Sequence, residues 1–227
     1  MHYSIKLPPG GFGNKFLSLI GVLGDLNALH GDAFSHSVCD EQLSMISRRR
    51  STRRFTKTLV GNQLGMALYS RNSIILSNYF ITVKPRGNSP ILGVHFRGSD
   101  FAAWKPHSIM SASYFIDNIE SSGFKTLRLC TDDPRHPVFL KLRDWSLANG
   151  YEVHSSVPSV LGDLYLLAQC SHIVASPSTF SLSGALLGGR KITFPKKFAE
   201  IEAAQSSEFW SCVLEGVSSE YVDITLS

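Results

Sequence analysis

Long hydrophobic runs are missing from this chain. No stretch approaches the roughly 20 consecutive apolar residues of a membrane-spanning helix, and the longest early one, residues 16–23, is interrupted by Ser18 and Gly21. Residues 1–11 show no charged segment leading into an apolar one, so no signal peptide and a cytoplasmic location are expected. Cysteine is scarce. Cys39, Cys130, Cys170 and Cys212 lie far apart with no Cys-x-x-Cys pair, which excludes a zinc knuckle or a dense disulfide framework and leaves buried free thiols in a reducing compartment as the expectation. Charge of one sign is also modest. Twenty-two Lys and Arg against 18 Asp and Glu leave an excess of four, too small for a nucleic-acid footprint but suited to an anionic ligand such as a phosphate. Ten prolines and 18 glycines are scattered, which excludes collagen-like and low-complexity architecture, and no repeat of solenoid length is visible.

What is present is a globular composition, 43% hydrophobic and 18% charged, which rules out disorder. From about residue 90 onward, short β-branched and aromatic runs alternate with helical periodicity. Strands are predicted over 91–96, 125–131, 151–155, 172–176 and 191–194, with helices over 114–121, 137–149, 162–169 and 179–187. The pattern predicts an α/β fold with a Rossmann-like parallel sheet of about five strands. The first part is less regular. Residues 2–7 read as a strand, residues 8–14 as a tight glycine-rich turn, and residues 15–30 as a helix with Phe16, Leu19, Ile20 and Leu23 on one face. Residues 84–90 have the composition of a linker, so a small amino-terminal α/β lobe (1–86) and a Rossmann-like domain (87–227) are expected.

Right-handed crossovers that wind first one way and then the other predict a strand order 3-2-1-4-5 in the second domain, and ligands bind where that order reverses. The flanking loops carry Arg97-Gly98-Ser99-Asp100 and Ser176-Pro177-Ser178-Thr179. Arg97 offers a planar fork for bidentate hydrogen bonds to phosphate oxygens, and Gly98 permits close backbone approach. Ser178 and Thr179 combine hydroxyls with the amides of a helix start, where the dipole favours an anion. His95 alternates with Phe96 and shares a strand face with Arg97.

Each of these residues has a plainer reading. His95 alone is as readily a satisfied core histidine, Arg97 with Asp100 an i,i+3 ion pair holding a loop, and residues 176–181 a helix cap. Asp132-Asp133-Pro134 follows the second strand, but adjacent side chains on extended backbone diverge, so turn formation and capping are favoured over a metal site. Asp163 reads first as a helix N-cap; its functional reading is a carboxylate accepting two N–H donors from a guanine edge. Convergence of two loops on one crevice is what raises the functional reading.

The stretch Gly93-Val94-His95-Phe96-Arg97-Gly98-Ser99-Asp100-Phe101 resembles the His-x-Arg-x-x-Asp signature of the GDP-fucose-using fucosyltransferases, the superfamily of α1,2-, α1,6- and protein O-fucosyltransferases. Residues 163–181, an Asp-led helix, a Cys-x-His strand and a Ser-Thr-Phe-Ser loop, are similar to the second motif of the α1,2 family. Leu129-Cys130-Thr131-Asp132-Asp133-Pro134 looks like the family's acidic strand end, and Gly10-Gly11-Phe12-Gly13-Asn14 like its Gly-x-Gly-Asn turn. The resemblance spans residues 10–188 and is dense from Gly93 onward. It departs from the family at Leu182-Ser183, where α1,2 enzymes usually carry two tryptophans, and at Arg97-Gly98, where many members have two arginines.

The resemblance implies a reduced GT-B-like fold and a glycosyltransferase that moves fucose, or a related sugar, from a GDP-sugar to a hydroxyl of a glycan or other acceptor. It implies that Arg97 holds the β-phosphate and is catalytic, that His95 and Asp163 approach guanine, and that Ser178 and Thr179 contact the diphosphate. Phe180 and Asp132 join the donor-binding set, and Gly13, Asn14 and Asp100 face the sugar or acceptor cleft. No metal, cofactor, nucleic acid or membrane span is expected. Asp100, Asp25 and His30 are candidate general bases, and none stands out. A nucleotide-sugar-binding module without catalysis is the rival reading. A polyanion-binding protein is another, resting on five arginines within residues 48–54.

Overall fold

The computed structural model describes residues 2–7, 11–30, 35–46, 56–60, 90–99, 101, 109–155, 159–188, 190–195 and 219–222. The described residues fall into two compact units, one of residues 2–60 and one of residues 90–195 with 219–222. The arginine run at 48–54, Asp100, Cys212 and the expected linker up to residue 89 lie outside the described residues.

In the first unit, β1 (His2–Lys6) lies between β2 (Ser35–Val38) and β3 (Thr56–Val60), all parallel. Parallel neighbours need a crossover, and α1 (Phe12–His30) supplies the one between β1 and β2. Its Phe16, Leu19, Ile20 and Leu23 are buried, as their spacing predicts. The helix begins earlier than expected, however. Phe12 stacks on Phe16 with ring centroids 6.2 Å apart, and Lys15 N–H donates to the Gly11 carbonyl at 3.2 Å. Gly13 and Asn14 therefore sit in the first helical turn rather than in a glycine-rich turn. Poor helix formers are tolerated there because the first amides have no intrahelical partner in any case. Asp40 ties this helix to α2 (Glu41–Ile46): Lys15 Nζ lies 2.9 Å from Oδ2, and Leu43 N–H donates to Oδ1 at 3.1 Å. Cys39 is exposed, against the expectation of a buried thiol, while Cys130 and Cys170 are buried and free.

The second unit runs β4 (Ile91–Phe96), α3 (Ala112–Ser122), β5 (Thr126–Thr131), α4 (Pro137–Ala148), β6 (Glu152–Ser155), α5 (Val160–Gln169), β7 (His172–Ala175), α6 (Thr179–Gly188), β8 (Lys191–Pro195) and β9 (Ser219–Val222). Its six strands are parallel in the order β6-β5-β4-β7-β8-β9. The first five follow the expected 3-2-1-4-5. The sixth, β9, was not expected.

Local chemistry sets the boundaries. Ser111 Oγ accepts Tyr114 N–H at 3.3 Å to open α3, and Gly123 closes it at φ 73°, a left-handed conformation that glycine adopts without strain. Pro137 sits at the start of α4, where its missing N–H costs nothing, and His136 caps it through Nδ1. Strand β4 is buried on both faces, as a central strand of a covered parallel sheet must be. Leu92, Val94 and Phe96 pack with Tyr114, Phe115 and Ile119 of α3 and with Phe139 and Leu142 of α4. The opposite face is covered by α5 and α6. A Cβ on Gly93 would lie 3.0 Å from Cys170 Sγ and 3.2 Å from Leu167 Cδ2, so the missing side chain lets α5 close on the sheet.

Helices α5 and α6 approach each other just as closely. A Cβ on Gly184 would lie 3.0 Å from Leu167 Cβ, and one on Gly188 would press into the carbonyl of Ala168, which is backbone and cannot swing aside. Gly188→Ala is expected to destabilise the fold by about 1–3 kcal/mol through overpacking. Thermal unfolding checks this, and an unchanged melting temperature would refute the close contact.

Candidate functional site

The site grows from the carboxyl end of β4, where the sheet order reverses between β4 and β7. Alternation along the strand sends Phe96 to one face, against Phe115, His136 and Phe139 with ring centroids 6.0, 4.8 and 6.4 Å away. His95 goes to the other. Its ring is buried, stands 5.2 Å from the Phe180 ring, and has Nδ1 2.6 Å from Ser181 Oγ. Ser181 Oγ also donates to the Ser176 carbonyl at 3.5 Å. Both bonds are satisfied together when His95 Nδ1–H is the donor to Ser181.

The two expected loops meet. Ser176 N–H donates to the His95 carbonyl at 2.8 Å, continuing the β4–β7 ladder past the last strand residue. Arg97 N–H donates to Ser176 Oγ at 3.0 Å. Ser176 is fully buried, so neither bond competes with water. Beyond it Ser178 Oγ accepts Phe180 N–H at 3.2 Å, which opens α6 with a hydroxyl cap. Thr179 is the first residue of that helix. The neighbourhood therefore offers the amides of a helix start beside a guanidinium, a combination that attracts an anion.

Asp132, at the end of β5, belongs to the same constellation but does something other than cap its own turn. Its Oδ1 accepts Gly98 N–H at 2.9 Å and its Oδ2 accepts the Ser99 hydroxyl at 2.6 Å. Arg97 Nε lies 3.8 Å from the same Oδ2, and the guanidinium carbon sits 5.3 Å from the Phe101 ring centroid. Asp133 diverges from it as expected, accepting Arg135 N–H at 3.2 Å within the turn.

Asp163 needs a correction. The N-cap of α5 is Ser159, whose Oγ accepts Gly162 N–H at 3.1 Å; Asp163 lies one position further into the helix and is buried. Serine one turn earlier wins the cap because its short hydroxyl reaches the free amide while the aspartate turns inward. Burial drives the Cys130 thiol up, and the Asp163 charge adds to that. Cys130 is the register partner of His95, so Asp163 belongs to the same sheet end.

Of the sequence-derived candidates, the structure thus gathers His95, Arg97, Asp132, Asp163, Ser178, Thr179 and Phe180 at one end of the second unit. Gly13 and Asn14 belong to the first unit, and Asp100 lies outside the described residues. His30 is engaged with the Tyr3 hydroxyl, 2.6 Å from its Nε2. The side chain of Asp25 is not among those described. Sequence reasoning passed over Ser176 and Ser181 as cap residues; the density of hydroxyls from 176 to 183 was the signal.

The sequence matches no family model and no curated protein. Solved structures do resemble it. POFUT1 in complex with GDP-fucose aligns with TM-score 0.53 at 10% identity, over 85% of this chain and 97% of that one. POFUT1 in complex with GDP aligns with TM-score 0.52 at 11% identity and the same coverage; in another crystal form of that complex the alignment spans 42% of that chain, with TM-score 0.36. The fucosyltransferase NodZ from Bradyrhizobium gives TM-score 0.46 at 14% identity, over 82% of this chain and 92% of that one. The chain has an α/β, GT-B-like fold similar to that of POFUT1. Among the described residues no helix is long and apolar enough to cross a membrane.

Burial drives the His95 imidazole from 6.5 down to about 4; the nearby Asp132 charge opposes this shift and the Arg97 charge reinforces it. His95 is therefore neutral in the folded protein at neutral pH, while the unfolded chain takes up its proton below about 6.5. The stability tied to this group is complete above pH 6.5 and declines as pH falls towards 4, by roughly 3 kcal/mol in all. Denaturant titrations at pH 7 and pH 4 should show wild type losing more stability than His95→Asn. Equal losses in the two proteins would refute a buried neutral histidine.

Proposed function

We propose that this chain is a glycosyltransferase that takes a GDP-sugar, fucose or a close relative, as donor and passes the sugar to a hydroxyl acceptor. One observation carries the reading: the Arg97 loop and the hydroxyl-rich start of α6 are hydrogen-bonded to each other at the reversal point of a parallel sheet. The likeness to POFUT1, crystallised with GDP and with GDP-fucose, supports the nucleotide assigned to that place.

Departure of GDP leaves negative charge on the β-phosphate while the sugar becomes oxocarbenium-like. Fixed positive charge at that phosphate is thus worth more in the transition state than in the ground state. Arg97 supplies the charge and the α6 amides, with Ser178 and Thr179, supply further donors. His95, held neutral, presents a ring nitrogen to the base or ribose without adding charge, and the buried Asp163 carboxylate is the acceptor for guanine N–H groups. Phe180, against the His95 ring, closes the apolar side.

Calorimetric titration with GDP, GDP-fucose and UDP, followed by assay of sugar release or transfer, tests this. GDP and GDP-fucose should bind and UDP should not, and Arg97→Ala should lower turnover by about 10²–10³. Preference for UDP would overturn the donor, and GDP binding with no turnover on any acceptor would leave a binding module instead.

A further inference from the structure

We infer that Asp132 is a positioning residue, whose carboxylate holds the 97–99 loop so that Arg97 is preset for an anion, and that it does not itself touch the donor. The inference deepens the reading of this site as a GDP-sugar site and rests on it.

A carboxylate beside a diphosphate site is electrostatically unfavourable, since like charges a few ångströms apart repel. Its presence there requires a compensating task, and the geometry supplies one. Both oxygens already accept bonds from the loop: Oδ1 from Gly98 N–H at 2.9 Å, Oδ2 from the Ser99 hydroxyl at 2.6 Å. Arg97 Nε lies 3.8 Å from Oδ2, so the carboxylate also draws the guanidinium toward the loop it holds. On the other side of Arg97, its own N–H is held by Ser176 Oγ at 3.0 Å. Successive amides at 97 and 98 are thus pinned to two different strand ends, β7 and β5, and the loop between them has little freedom left to lose on binding. Such preorganisation raises affinity by removing an ordering cost rather than by adding a contact. Gly98 is part of the clamp. A Cβ there would lie 2.7 Å from Phe96 Cε1, so any side chain would push the loop off the strand end.

Charge and positioning predict opposite signs, which makes the test decisive. Asp132→Ala removes a negative charge near an anion site and, by electrostatics alone, should tighten GDP binding. If Asp132 positions the loop, Asp132→Ala should weaken GDP binding about tenfold, because the Gly98 amide loses its acceptor and the loop is freed. Asp132→Asn, which keeps an acceptor for Gly98 N–H and a polar partner for Ser99, should recover at least half of that loss on a logarithmic scale. The measurement is calorimetric titration of GDP into each variant, with melting curves to confirm folding. Tighter or unchanged binding by Asp132→Ala, or an Asp132→Asn variant as weak as Asp132→Ala, overturns the inference. Wild-type protein that does not bind GDP at all overturns the donor reading, and the inference falls with it, which distinguishes the two failures.

Discussion

Strand β4 is hydrogen-bonded on both edges and covered on both faces, so its chain can change direction only at the ends. At its carboxyl end the sheet order reverses: one neighbour continues the chain by way of α3, the other arrives much later by way of α5. The first amide past the strand, that of Arg97, has lost its ladder partner and is too enclosed to depend on water. An unpaired amide in that position costs on the order of 1–3 kcal/mol. Ser176 removes the penalty with its hydroxyl, and in doing so couples two segments 79 residues apart in sequence. Every other feature of the site hangs from that bond, because it fixes where the Arg97 loop and the α6 start stand relative to each other.

The same burial that makes this coupling strong decides which groups carry charge. His95 lies near the end of β4, and Arg97 is the first residue past it. Burial holds the imidazole neutral. A pair of cations is thereby avoided. The site pairs one guanidinium with one carboxylate at its rim and keeps a neutral ring deeper in. The net excess of four positive charges over the whole chain has little to do with this. At the site itself Arg97 faces Asp132, and their formal charges cancel. The attraction for an anion must therefore come from direction: backbone amides and hydroxyls pointing into the crevice, with the guanidinium held at its edge.

The second unit was legible in the sequence because its central strands β4, β5, β7 and β8 are largely buried and read as short apolar runs, and because its helices carry their own caps and stops. Residues 91–96 were placed to the residue, and the 3-2-1-4-5 order followed from the handedness of crossovers. The errors have physical causes. β9 is a four-residue strand at the edge of the sheet, paired among the described residues with β8 alone. Gly13 and Asn14 suggested a turn by propensity, yet the apolar contact of Phe12 on Phe16 carries the helix through them. Asp163 resembled a cap because aspartate favours that position, but Ser159 occupies it. Asp132 was legible as an acidic strand end, while its grip on Gly98 and Ser99 was not, since a bond across 33 or 34 residues leaves no local pattern.

That last distinction separates what motifs encode from what folding adds. Arg97, Ser178 and Thr179 could be selected from residue type alone, because an anion needs donors and these residues carry them. Ser176, Ser181 and Asp132 could not, because their partners are other protein groups brought near by the sheet. Ser176 and Ser181 are fully buried, and buried hydroxyls are retained only where each finds a partner. Here those partners are Arg97 N–H, the Ser176 carbonyl and His95 Nδ1, so the polar groups beneath the crevice spend their hydrogen bonds on one another. Their rigidity is what a ligand would meet: donors already aimed, with the ordering entropy removed during folding instead of at binding.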